Sequence, residues 1–195
     1  MATFGYSTDE TTLATGWADV KSGNRHALLE AGLISKLTIY IDNLQTGHAA
    51  THIRGLIYSD ASIQPDALLA TGDAIAVADN AALAWLDLTF AAPFSSGAAD
   101  LWLAFHADAA GNGLGIHRAL TGGTSAYNTD TYSDGPGNPF GAHTDGTRNY
   151  CLYATYTAAG GIGKLAWWLS AAKWNSPWEP RPSGLLLPKR ALATI

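Results

Sequence analysis

Apolar and polar residues alternate with a period of two through most of the first 157 positions. That period is the signature of strands with one buried face. In residues 33–42, Leu37, Ile39 and Ile41 share a face. In residues 50–60, Ile53, Gly55 and Ile57 oppose His52, Arg54, Leu56 and Tyr58, with Gly55 marking a bulge or a close backbone approach. Residues 82–90 set Leu86, Leu88 and Phe90 against Trp85, Asp87 and Thr89. Residues 100–108 set Leu101, Leu103 and Phe105 against Trp102, Ala104 and His106. Residues 148–157 alternate Tyr150, Leu152, Ala154 and Tyr156 with Cys151, Tyr153 and Thr155. Weaker patterns predict short strands at 24–29, 74–79 and 116–120. Pro65 assigns 61–73 to a turn and a short apolar piece, and Pro93 with Gly97 assigns 91–100 to a turn.

Seven to nine short strands with turn signals every 8–12 residues form the pattern of an all-β sandwich or barrel. No amphipathic helix interrupts residues 1–159, which excludes a parallel βαβ architecture. The expectation is an all-β, antiparallel β-sandwich, jelly-roll-like, over residues 1–159. A C-terminal tail of residues 160–195 follows, extended but with a short helix. Strand order is not readable from the pattern.

The succession FGY, NRHALLEAGLISKLTIYID, ATHIRGLIYSD, QPDALLATGD, AWLDLTF, ADLWLAFHAD, AYNTDTYSDGPGNPFG and RNYCLYATYT spans residues 4–157. It resembles β-sandwich modules of phage virion proteins and of bacterial surface or secreted proteins. The resemblance implies a jelly-roll-like sandwich in a structural protein. It transfers no catalytic residue, and it does not include the tail.

The tail has its own pattern. Leu165, Trp168, Leu169 and Ala172 recur at helical spacing, with Trp167, Ala171 and Trp174 beside them. A helix apolar on most of its circumference is buried by something. Pro177, Pro180, Pro182 and Pro188 make the remainder extended, and Leu185, Leu186 and Leu187 form an apolar strip suited to adding to a sheet edge. Four of the seven Trp lie here: Trp167, Trp168, Trp174 and Trp178. Burying these rings and the Leu strip contributes on the order of 10 kcal/mol before ordering costs. The expected interface residues for assembly are therefore Leu165, Trp167, Trp168, Trp174, Trp178, Leu185, Leu186 and Leu187, and the expected partner is another copy of the chain.

Composition strengthens that expectation. Only 14% of the 195 residues are charged, against roughly 25% in ordinary soluble domains. Five cations against Glu179 give residues 160–195 a net charge of +4, which leaves −9 for residues 1–159 of the total −5. Opposite signs suit a tail that lies on such a body, its own or a neighbour's. An acidic body excludes nucleic acid as its partner, because phosphate binding needs clustered Lys and Arg. The Pro-rich half of the tail argues against membrane insertion. The N-terminus MATFGYSTDE has neither the basic nor the apolar region of a signal peptide, so synthesis in a cytoplasm is expected, with a virion or an extracellular filament as destination. The single Cys151 permits no internal disulfide and is expected buried and inert.

Candidate chemistry is sparse. The stretch 121–147 reads as one long loop, and loops of that length inside a compact domain are often functional. It carries Tyr127, Asn128, Asp130, Tyr132, Asp134 and Phe140, a mixture of rings and polar groups of the kind that binds sugars. Against this stands the simpler reading that its aromatics pin the loop to the sandwich. Neither cofactor nor metal is expected: Tyr132 occupies the third ligand position of the Ca²⁺-loop spacing begun by Asn128 and Asp130. His48 and His52 are four apart but lie across a turn-to-strand boundary, where they do not share a face, so zinc has weak support and the His residues are expected on the sheet surface. No G-x-S-x-G element or phosphate loop occurs, so no catalytic residues are assigned and the chain is not expected to be an enzyme.

Overall fold

The computed structural model describes residues 1–43, 50–110 and 113–160. His48 and the eight tail residues expected at an assembly interface lie outside the described residues. Two antiparallel sheets pack face to face as a sandwich. The strands are β1 (Ala2–Gly5), β2 (Leu13–Ala14), β3 (Val20–Leu28), β4 (Gly32–Asn43), β5 (Thr51–Ala61), β6 (Gln64–Thr71) and β7 (Ile75–Val77). They continue with β8 (Ala84–Ser96), β9 (Ala99–Ala107), β10 (Leu114–Ala119), β11 (Ser125–Thr129), β12 (Thr144–Gly146), β13 (Asn149–Tyr150) and β14 (Leu152–Ala158).

Strand pairing is nested. β1 pairs with β14, β3 with β9, β4 with β8 and β5 with β6. One sheet contains β1-β14-β4-β8 and the other β3-β9-β5-β6, and the chain crosses repeatedly between them. This is the rolled-up hairpin of an eight-strand jelly roll, the expected architecture with the strand order now given. The residues between β9 and β14 are an insertion into that roll. Within it β10 and β13 extend the first sheet, while β11 and β12 extend the second beside β3.

The predicted inward residues form the main core. Leu37, Ile39, Ile41, Ile53, Ile57, Leu88, Phe90, Leu101, Leu103, Phe105, Leu152 and Ala154 are all buried in one cluster. Ile34 joins them despite its odd spacing from Leu37. Both ladders of β4 skip Ser35, a bulge that reverses the alternation at that point. Trp17 completes the cluster edge-on to Phe105 and Tyr150, with centroids 5.1 and 5.7 Å away.

Several expected boundaries are corrected. Residues 64–71 are a strand, and Pro65 is tolerated because β6 ends its sheet, where no ladder hydrogen bond needs its missing N–H. The same holds for Pro93. Strand β8 runs on to Ser96 along an edge, and Pro93 lies in the stretch skipped between the Thr89 and Phe94 pairings. The first strong strand starts at Val20, not at residue 24, and two short strands precede it. The stretch 121–147 is not one loop, since β11 and β12 occupy its two ends.

Candidate functional site

The second sheet is buried on both faces. Its outer face carries Leu56, Tyr58, Trp102 and Ala104, all of which alternation directs away from the main core. These join Ala126 and Phe140 in a separate cluster. The covering element is the segment 130–143, which leaves β11 and crosses from β3 to β6. It turns through a single 3-10 turn at Tyr132–Asp134, ended by Gly135 with a φ of 85°. It is laced down at each step. Asp130 N–H donates to the Asp19 carbonyl, Tyr58 Oη to the Gly137 carbonyl, and Phe140 N–H to the Asp66 carbonyl. Asn138 Oδ1 accepts from Leu68 N–H.

Beneath this strap lies a buried cation. Lys21 is 1% exposed, and its Nζ sits 2.8 Å from Asp130 Oδ2 and 4.7 Å from the centre of the Phe140 ring. Asp130 also accepts the Gly137 N–H at 2.8 Å. Burial alone pushes the Asp130 carboxyl up, but these two bonds outweigh it and hold the group below its ordinary value. His106, fully buried, bonds the Asp130 carbonyl through Nε2 at 2.7 Å, and burial lowers its pKa. Arg54 stacks 3.7 Å over the Tyr132 ring and donates to the Tyr132 carbonyl. Trp102 Nε1 and Arg25 Nε both reach Asp60 Oδ1, at 2.8 and 2.9 Å. Of these cations, Lys21 and Arg54 bond residues of the strap itself.

The structure divides the six residues expected to bind sugar. Phe140 is 2% exposed and packs edge-on to Tyr58 at 5.0 Å, so its ring is core and is not presented to solvent. Asp130 is committed to Lys21. Asn128 Nδ2 donates to the Phe140 and Ala142 carbonyls. Tyr132 is half-buried under Arg54, and Asp134 stands exposed on the 3-10 turn. Tyr127 alone among the rings is open, at 36% exposure. It borders a hollow of about 420 Å³ with Asn128 and His143, and a second of about 290 Å³ with Trp17, Arg118 and Arg148. A third hollow of about 510 Å³ lies at the other end of the strap, among Asp19, His52, Asp108, Tyr132 and Ser133. There His52 Nδ1 meets Asp108 Oδ2 at 2.9 Å.

Of the His residues expected on the sheet surface, His52 on β5 is exposed there, with 48% of its side chain accessible, but others are buried. His106 is 0% and His117 5% exposed, because the strap covers the first and the segment before β2 covers the second, where the Glu10 carbonyl bonds His117 Nδ1 at 2.8 Å. His26 is half-buried, and burial pushes its pKa down to about 4. Cys151 is fully buried, and burial raises its thiol pKa. Among the described residues no three His, Cys, Asp or Glu side chains stand together as a metal would require, and no helix is long and apolar enough to cross a membrane. Sequence reasoning missed Trp17, Arg118 and Arg148. The available signal was a surplus: Arg118 and Arg148 are cations in an acidic body with no carboxylate assigned to them. No protein-family model matches the chain, and no curated protein matches it significantly.

Proposed function

We propose that this protein is a structural subunit that assembles with copies of itself through residues 161–195 docked on neighbouring subunits, as in a virion component or filament. One observation carries the reading. Residues 17–156 supply both hydrophobic clusters of the sandwich, and the strap already covers the second sheet's outer face. The Trp and Leu residues after Gly160 are, in this reading, available for a neighbour's surface. Their net charge of +4 against −9 in the body gives the docking an electrostatic component as well. The test is sedimentation velocity on the full chain and on variants Trp168→Asp and Leu186→Asp. Assembly lost in both, with the far-UV spectrum of the sandwich unchanged, is the expected result. Unchanged assembly in both variants removes the tail from the interface.

A second reading has its own support. The ring of Tyr127 is exposed and borders two hollows, an arrangement suited to stacking on the C–H face of a sugar. In that reading the subunit carries a carbohydrate-binding site beside its strap. Subunits that assemble and bind glycans satisfy both.

A further inference from the structure

Residues 1–160 contain six Lys and Arg side chains, and four of them bond a carboxylate or carbonyl oxygen. Lys21 pairs with Asp130, Arg25 with Asp60 and Asp100, and Lys36 with Asp87. Arg54 stacks on Tyr132 and donates to its carbonyl. The guanidinium groups of the other two, Arg118 and Arg148, contact no carboxylate or carbonyl oxygen among the described residues. Both line the same hollow of about 290 Å³.

The fold brings them together. Arg118 on β10 stands opposite Tyr150 of β13 in register, and Arg148, just before β13, lines the same hollow. Trp17 and Val20 form the apolar wall, and Tyr127 forms the rim, its ring 5.8 Å from the Arg148 guanidinium. Arg118 Nε is shielded from solvent and donates to nothing among the described residues. A shielded N–H without an acceptor is costly, and an anion that accepts from it recovers that cost. A guanidinium offers a carboxylate two parallel N–H groups, which fixes orientation as well as charge. The volume is at the small end for ligand pockets and suits one ring-sized unit.

We propose that this hollow binds the carboxylate of an acidic sugar residue, a uronic or sialic acid unit of a glycan, with Arg118 and Arg148 on the carboxylate and the Tyr127 ring against the sugar. The inference rests on the sugar-binding reading of Tyr127 and gives it a substrate class. It is independent of assembly through the tail.

The test is titration of the full chain by calorimetry and by ligand-observed NMR with D-glucuronate, D-glucose and acetate. D-glucuronate is expected to bind at least about tenfold more tightly than either control, since charge-assisted hydrogen bonds exceed neutral ones by that margin. Arg118→Gln and Arg148→Gln are each expected to weaken D-glucuronate by about tenfold or more. Arg148 is partly exposed, so Arg148→Gln should melt with the wild type and decides the matter if Arg118→Gln folds poorly. Equal binding of D-glucose and D-glucuronate, or insensitivity to Arg148→Gln, overturns the acidic specificity and leaves the sugar reading standing. Acetate binding as tightly as D-glucuronate removes the sugar ring from the site. Binding of none of the three overturns both.

Discussion

Lys21 is the residue on which the second hydrophobic cluster depends. Its ammonium is buried between Asp130 and the Phe140 ring. Lys21→Met leaves Asp130, partly exposed and still bonded to the Gly137 N–H, without its cation, so the fold should lose about 1–3 kcal/mol in chemical denaturation. His26 makes a separate prediction through pH. It shares the face of Leu101, inside the sandwich, and burial lowers its pKa from 6.5 to about 4. The unfolded chain takes up a proton in that interval and the folded chain does not. His26 therefore contributes fully above pH 6.5, and its contribution falls as pH drops toward 4, by about 3 kcal/mol in total. The carboxyl of Asp130, depressed in the folded state, loses its contribution only as pH falls further, through a window below its ordinary value of 3.8. Urea midpoints across pH 4–7 should show the slope in the wild type and a flattened profile in His26→Gln. A wild-type midpoint that stays level from pH 7 to 4 contradicts the burial of His26.

At the scale of elements, the strap over the second sheet is the feature that period-two reasoning cannot supply. Alternation placed Trp102, Ala104, Leu56 and Tyr58 on the face away from the main core, and they are there. It could not say that this face is covered, because the covering chain has no period: it is held by carbonyls, Asp130, Asn138 and one buried ring. The apolar outward residues on β5 and β9 were the available hint, since a solvated face is expected to be polar. The boundaries missed at Pro65 and Pro93 share a different cause. A proline is read from sequence as a stop, yet at a sheet edge it removes no ladder hydrogen bond, and edge position depends on topology. The nested pairing that makes a jelly roll was likewise hidden, because pairing is a property of partners far apart in the chain. Of the six expected sugar-binding residues, the sequence identified the aromatic types but not which ring is open. Phe140→Ala should accordingly act on stability, by about 3–5 kcal/mol, as for a core aromatic. Tyr127→Ala should leave the melting temperature within a degree or two of the wild type, as surface substitutions do. Thermal melts of the two variants side by side check this; equal losses would mean that Tyr127 is part of the packing. Gly23 gives a further test of the strand pairing within the second sheet. A Cβ there would meet the Leu103 carbonyl oxygen at 2.4 Å, so Gly23→Ala should separate β3 from β9 and lower stability.

For the molecule as a whole, the sandwich accounts for residues 1–159 of the sequence. Its two clusters are assembled from residues 17–156, while more than half of the Trp lie beyond residue 160. Under the assembly proposal, the low charge of 14% and the basic, aromatic extension on an acidic body serve to bring copies together, since a second copy offers the complementary charge. The measurement that bears most directly on this is sedimentation velocity of the full chain beside a protein ending at Ala159, confirmed by negative-stain electron microscopy. The assembly account predicts particles or filaments for the full chain and a folded, soluble monomer for the shortened one. A shortened protein that assembles as the full chain does would contradict it.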